Sequence, residues 1–186
     1  NKINTWQFDY TANGGDLTNF SQLFDDAGER SSFSSFNEDI SNWNVTDVSN
    51  MSQMFEGCSS FNQDIGAWEV SNVKDMFRMF RYATNFNQDI SGWNVSNVTA
   101  MDFMFTAATN FDQDINGWNV GNVNNMRGTF LGATNFDQSL NDWNVSGVNN
   151  MNSMFNDATN FNQDIGSWNV SEVNTMVSMF RNATSF

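Results

Sequence analysis

The side chains that could do chemistry fall into columns. Asp39, Asp64, Asp89, Asp114 and Asp164 share one place in a 25-residue period, with Ser139 filling the gap. Carboxylates stacked about 5 Å apart repel unless water, backbone donors or a cation intervenes. Calcium bridged between turns would suit such oxygen ligands. No glycine-rich calcium-repeat pattern accompanies them, so the preferred reading is that each Asp closes a turn by accepting backbone N–H groups. No cofactor is then expected. Calcium is a minor alternative, and it would show as a melting temperature lowered by a chelator.

A second group is basic and aromatic. Lys74, Arg78, Arg81 and Arg127 are four of the seven basic residues. Phe77, Tyr82 and Phe103 stand where most other copies are polar or small. Repeat columns align in space, so these residues should converge on one flank. Exposed aromatics among cations mark a candidate binding or self-association patch. The plainer reading is drift, with Phe77 packing on Phe103.

Three further columns are regular. Trp6, Trp43, Trp68, Trp93, Trp118, Trp143 and Trp168 are either an aromatic platform or core. A Val or Phe follows each one two residues later, so core is preferred, with each indole N–H finding an acceptor on a neighbouring turn. Asn44, Asn94, Asn119, Asn144 and Asn169, broken by Glu69, should face outward. They are a candidate binding strip, and the plainer reading is solvated polar surface. Thr84, Thr109, Thr134, Thr159 and Thr184 make a column of the kind that binding to ice would use. They sit at a corner beside an Ala column, which makes that a minor alternative.

Catalytic chemistry finds little support. The chain has no His and no phosphate-cradling glycine loop. Cys58, the single cysteine, aligns with Ala83, Ala108, Ala133, Ala158 and Ala183, a small buried column rather than a nucleophile. No enzyme is expected. A net charge of −14 argues against nucleic acid and against an anionic membrane surface. No signal peptide or transmembrane run is visible.

The elements that position these columns come from one unit. Copies begin at Phe36, Phe61, Phe86, Phe111, Phe136 and Phe161, and Phe186 opens another. A fixed period of this length means stacked units sharing one core. Residues 1–35 read as an atypical capping repeat, with Phe20 and Phe24 matching Met51 and Phe55. Residues 36–186 read as six tandem repeats within the same continuous domain, with further repeats or domains expected at both ends. Trp68 and Val70, two apart, predict a short inward-facing strand. Val73, Met76, Met79, Phe80 and Ala83 predict the stripe of a short helix. Thr46, Ser71, Ser96, Ser146 and Ser171 would cap it, with Gly121 as a poorer cap. Neighbouring strands should form a parallel sheet.

The pattern FNQDI-x-x-WNVSNV-x-x-M-x-x-MF-x-x-ATN resembles the BspA-like bacterial surface proteins, a divergent branch of the leucine-rich repeats. The resemblance spans 36–186 fully and 1–35 loosely. It implies a right-handed α/β solenoid with one short parallel strand and one short helix per repeat. It also implies an extracellular or cell-surface location, no catalytic residues, and binding of a host or environmental protein or glycan. The expectation is an adhesion module; the alternative is a passive spacer displaying another module.

Overall fold

The computed structural model describes residues 18–24 and 33–186. Trp6 and the first part of the expected cap lie outside them. Each 25-residue copy makes one coil, and the coils stack in register. Isolated parallel bridges link Asn50 to Asp75, Asp75 to Ala100, Ala100 to Asn125, Asn125 to Asn150 and Asn150 to Thr175. Asn19 pairs with Asn50 in the same way, so residues 18–24 join the stack.

The expected strand and helix do not form. Among the described residues there is no helix, and the only bridges are these isolated ones. The chain is therefore not an α/β solenoid with a helix in each repeat, and no parallel sheet runs through Trp68 and Val70. The apolar spacing of three has another cause. It is the closure distance of a tight turn, in which the N–H of one residue reaches the carbonyl three before it. Trp68 N–H donates to the Ile65 carbonyl, Val73 to Val70, Met79 to Met76, Ala83 to Phe80 and Phe86 to Ala83. Each coil is a string of such turns, and these closing residues are buried.

Two features forbid a helix across 73–83. Arg78 and Tyr82 have φ of 56° and 63°, and equivalent residues of the other coils are also left-handed. Left-handed residues cannot continue a right-handed helix. The alternate N–H groups are also spent on the next coil. Met76, Arg78, Phe80 and Tyr82 donate to the carbonyls of Ala100, Asp102, Met104 and Thr106. The expected helix caps have a different role. The N–H groups of Thr46, Ser96, Gly121, Ser146 and Ser171 are donated to the side-chain oxygen of the Asn two residues earlier. That is an Asx turn, which competes with helix for the same residue types.

The core is a set of aromatic columns. Phe61 stacks on Phe36 and Phe86 at 5.8 and 5.9 Å, and the neighbouring Phe80 column repeats at 5.5 and 5.7 Å. The two columns touch at 4.0 Å, as between Phe80 and Phe86. Trp93 lies parallel to Trp118 at 6.3 Å. Met51, Met76, Met101 and Met151 fill the far side and are fully buried. Cys58 and its Ala equivalents close the corner, and Cys58 is buried and in no disulfide. Thr129 takes a Met place in the core, and its hydroxyl is satisfied by the Met126 carbonyl at 3.0 Å.

The two sides of a coil are joined differently. Along 74–85 the backbone bonds directly to neighbouring coils. Along 61–73 no backbone bond crosses between coils among the described residues, and side chains do the joining. Trp93 Nε1 donates to the Ile65 carbonyl at 3.1 Å, and Trp68, Trp118, Trp143 and Trp168 repeat the bond. Asn62 Oδ1 accepts the N–H of Asn87 at 2.9 Å, and Asn87, Asp112 and Asp137 continue the ladder. Asn72, Asn97 and Asn122 donate their amides to the Thr46, Ser71 and Ser96 carbonyls. The FNQDI and WNVSN segments carry these bonds in their side chains.

Candidate functional site

The Asp column is occupied by turn chemistry. Asp39 accepts from the N–H of Ser41, Asp64 from Gly66, Asp89 from Ser91, Asp114 from Asn116 and Asp164 from Gly166. The Ser139 hydroxyl takes the same place towards Asn141 at a longer 3.3 Å. No three acidic, Cys or His side chains among the described residues converge as a metal group would. The Ser41 hydroxyl, with its backbone N–H, holds Asp39 below the usual carboxylate range. Ser91 does the same for Asp89. A lowered pKa of this kind adds stability above the unfolded value of about 3.9, and that stability is lost as pH falls through the lower folded value. Ser91→Ala is expected to raise the Asp89 pKa towards the ordinary Asp value. Carboxyl-carbon NMR titration would read this, and no movement would remove the hydroxyl as the cause.

The outward Asn column is exposed, as expected, but its oxygens turn back on the chain. Asn94 Oδ1 accepts from the Ser96 N–H at 3.2 Å and the Ser96 hydroxyl at 2.7 Å. Asn44, Asn119, Asn144 and Asn169 make the same turn. These residues lie on turns rather than on a strand face. The Thr column is likewise engaged: Thr109 donates its hydroxyl to the Thr84 carbonyl at 3.3 Å, and the other members repeat this. Among the described residues the Trp column is core, with Trp68, Trp93, Trp118, Trp143 and Trp168 buried and Trp43 half-buried.

The basic and aromatic residues do converge, on a flank of turns instead of helices. Phe77 and Phe103 meet edge to face at 6.3 Å. The Arg78 guanidinium lies 4.5 Å from the Phe77 ring centre and 5.7 Å from that of Phe103. Arg127 approaches Phe103 at 5.2 Å. Such cation–π contacts hold long side chains that would otherwise be free. Gly128 makes room for this arrangement. Its φ is +59°, and a Cβ there would stand 2.6 Å from the Phe103 ring. Arg81 and Tyr82 form a neighbouring pair, with the guanidinium 4.5 Å from the phenol ring. Arg81 is also bound to Glu56 at 2.8 Å. Lys74 is exposed and makes no ring or ion-pair contact among the described residues, so it does not belong to the group.

One member of the site is not legible in the sequence. Asp102 occupies the place equivalent to Phe77 and Arg127 and lies between them in the stack. Burial pushes its carboxyl up, with a smaller push from Asp75, against the pull of Arg78 and Arg127. Its signal in the sequence is an acid standing where the neighbouring copies carry Phe77 and Arg127.

The family described as "Mycoplasma protein of unknown function, DUF285" matches residues 18–133 and 109–186. The chain belongs to this family. No curated protein matches the chain. The DUF285 description carries no activity, so the function of this DUF285 chain has to be argued from its own surface.

The raised Asp102 pKa has a consequence for the stability of this DUF285 chain. The penalty for its charge is absent below the unfolded aspartate pKa. It builds as pH rises towards the higher folded value and persists above that. Asp102→Asn is expected to leave stability at neutral pH unchanged or to raise it by up to about 0.5 kcal/mol, a small effect because the group is half-exposed. A urea midpoint that falls at pH 7 would contradict this.

Proposed function

We propose that this chain is a binding module of an exported bacterial surface protein and engages a protein or glycan of the host or environment. The observation that carries the reading is the Phe77–Arg78–Phe103–Arg127 group. Departures from the repeat consensus gather at one place on the flank, where rings and cations meet. Arg78 and Phe103 are also bulky left-handed residues, at φ 56° and 60°. Glycine would relieve that backbone cost, which is about 1–2 kcal/mol per residue. The resemblance to BspA-like surface proteins supports the same reading. The protein is read as non-enzymatic and in need of no cofactor.

A spacer reading has one observation in its favour. The Asp, Asn and Thr columns spend their polar atoms on the chain's own backbone. Most of the surface is thus structural. An array of glycans and extracellular-matrix proteins separates the two readings. A binding module captures a ligand, and Phe77→Ser with Phe103→Ser weakens that capture at least tenfold at an unchanged far-ultraviolet spectrum. Capture that is indifferent to both substitutions would remove the patch, and no capture at all would favour the spacer.

A further inference from the structure

The outward Asn column spends its oxygens and keeps its nitrogens. Asn44, Asn94, Asn144 and Asn169 each accept, through Oδ1, the N–H of the residue two further on. The hydroxyls of Ser96 and Ser146 add a second bond to the same oxygen, at 2.7 Å each. All four Asn residues are exposed, and among the described residues their Nδ2 groups make no hydrogen bond. The residues two further on are Thr46, Ser96, Ser146 and Ser171. Each of these turns is therefore an Asn-Val-Ser/Thr triplet with an unspent amide nitrogen, the acceptor pattern for an N-linked sugar.

The Asn-x-Ser/Thr pattern also occurs elsewhere, and the structure separates those copies from the column. Asn97 donates Nδ2 to the Ser71 carbonyl at 2.8 Å, and Asn182 donates to Asp157 Oδ1 at 2.6 Å. Both nitrogens are bound to the preceding coil, so a sugar there would stand against that coil. Asn19 and Asn50 are half-buried on the bridged side of the coil, and Ser52 is buried. Within the outward column itself, Glu69 and Gly121 break the triplet. Asn44, Asn94 and Asn144 are thus two coils apart, roughly 10 Å at the spacing of parallel chains, which leaves room between attached sugars. Asn144 and Asn169 stand on adjacent coils and would crowd each other.

We propose that Asn44, Asn94, Asn144 and Asn169 are acceptors for N-linked glycosylation. The co-reactant is an activated sugar carrying a diphosphate leaving group, brought by a transferase. Asn Nδ2 forms a bond to the anomeric carbon and gives up one proton. The anomeric C–O bond breaks, and its electron pair leaves on the diphosphate. Oδ1 takes no part, so the turn bonds survive and the coil carries the sugar without refolding. These residues lie outside the Phe77–Arg127 group, and the proposal does not depend on what that group binds.

The test incubates the folded whole chain with a sequon-dependent N-glycosyltransferase and UDP-glucose, then maps glucose by electron-transfer mass spectrometry of the peptides. Asn44, Asn94 and the Asn144 and Asn169 pair should be loaded at least tenfold more than Asn97 and Asn182, with the two members of the pair competing. Ser96→Ala should lower loading of Asn94 at least tenfold and leave Asn44 unchanged, because the backbone N–H at that position still closes the turn. Gly121→Ser should make Asn119 an acceptor. A Cβ there would stand 3.3 Å from Asn119 Oδ1, a tight contact with a side chain that is able to shift, and 3.5 Å from Asn144 Nδ2. The melting temperature shows that each variant is folded. The chain recovered from the cells that make it should carry sugar on the same column. Equal loading of Asn97 and Asn182, loading of Asn94 that survives Ser96→Ala, or an Asn119 that stays bare in Gly121→Ser would overturn the proposal. So would a column left bare in the assay or in the recovered chain.

Discussion

Phe105→Ala is expected to destabilise the chain by about 3–5 kcal/mol. The ring is fully buried at the middle of the stack. It touches Phe111 at 4.0 Å, Phe80 and Phe130 at 5.7 Å each, and Trp118 at 6.3 Å. Truncation leaves a cavity bordered by four rings, and the backbone around it cannot collapse. Its turns are locked to both neighbours through Phe105 N–H to the Thr129 carbonyl and Phe80 N–H to the Met104 carbonyl. Aromatic pairing adds about 0.5–1.5 kcal/mol per contact beyond buried area, which places the cost towards the upper end. Urea unfolding of the whole chain measures it. In a nearest-neighbour stack the damage is to two interfaces, so the transition should also broaden. A loss below about 1 kcal/mol would mean that the ring columns do not carry the fold.

Trp118→Phe should cost about 2–4 kcal/mol, more than an exchange of one aromatic for another suggests. The indole Nε1 donates to the Ile90 carbonyl at 3.1 Å, and both residues are buried. Phenylalanine leaves that carbonyl without its donor, worth about 1–3 kcal/mol for a buried group, and also loses ring volume. No backbone bond takes over, because along this side of the coil the side chains make the inter-coil bonds. The same exchange at Trp43 should cost less, since that residue is only half-buried. Equal losses at the two positions, read as shifts in urea midpoint at constant slope, would contradict the bonding role of the buried indole.

Much of the core is legible in the amino-acid sequence. A strict period places every member of a column in the same environment. Phe61, Ile65, Trp68, Val70, Met76 and Phe80 therefore have to share one interior, and they do. The turn role of Asp89 is also legible, since Asp is a short acceptor that closes a turn on the N–H two residues on. The same chemistry in Asn94 is harder to see. Its signal is the Ser that follows two residues later, a residue type that suits a helix cap equally well. The Asn62 ladder escapes the sequence altogether, because an amide bonding to a neighbouring coil has no local signature.

The convergence of Phe77, Arg78, Phe103 and Arg127 follows from column alignment alone. What lies beyond the sequence is how each charge is satisfied. Arg81 is neutralised by Glu56, and Lys74 stands apart, whereas Arg78 and Arg127 rest on rings. These outcomes depend on side-chain direction at neighbouring turns, which spacing does not encode.

The amino-acid sequence by itself determined the repeat, its register, the inward columns and the patch of departures from consensus. The tertiary structure decided the local conformation. A spacing of three between Met76, Met79 and their neighbours fits a helix and a string of tight turns equally well. The choice falls to the turns because the backbone N–H groups find their partners in the adjacent coil. Left-handed residues such as Arg78 and Tyr82 aim them there. An isolated coil has no such acceptors, so its conformation exists only in the stack.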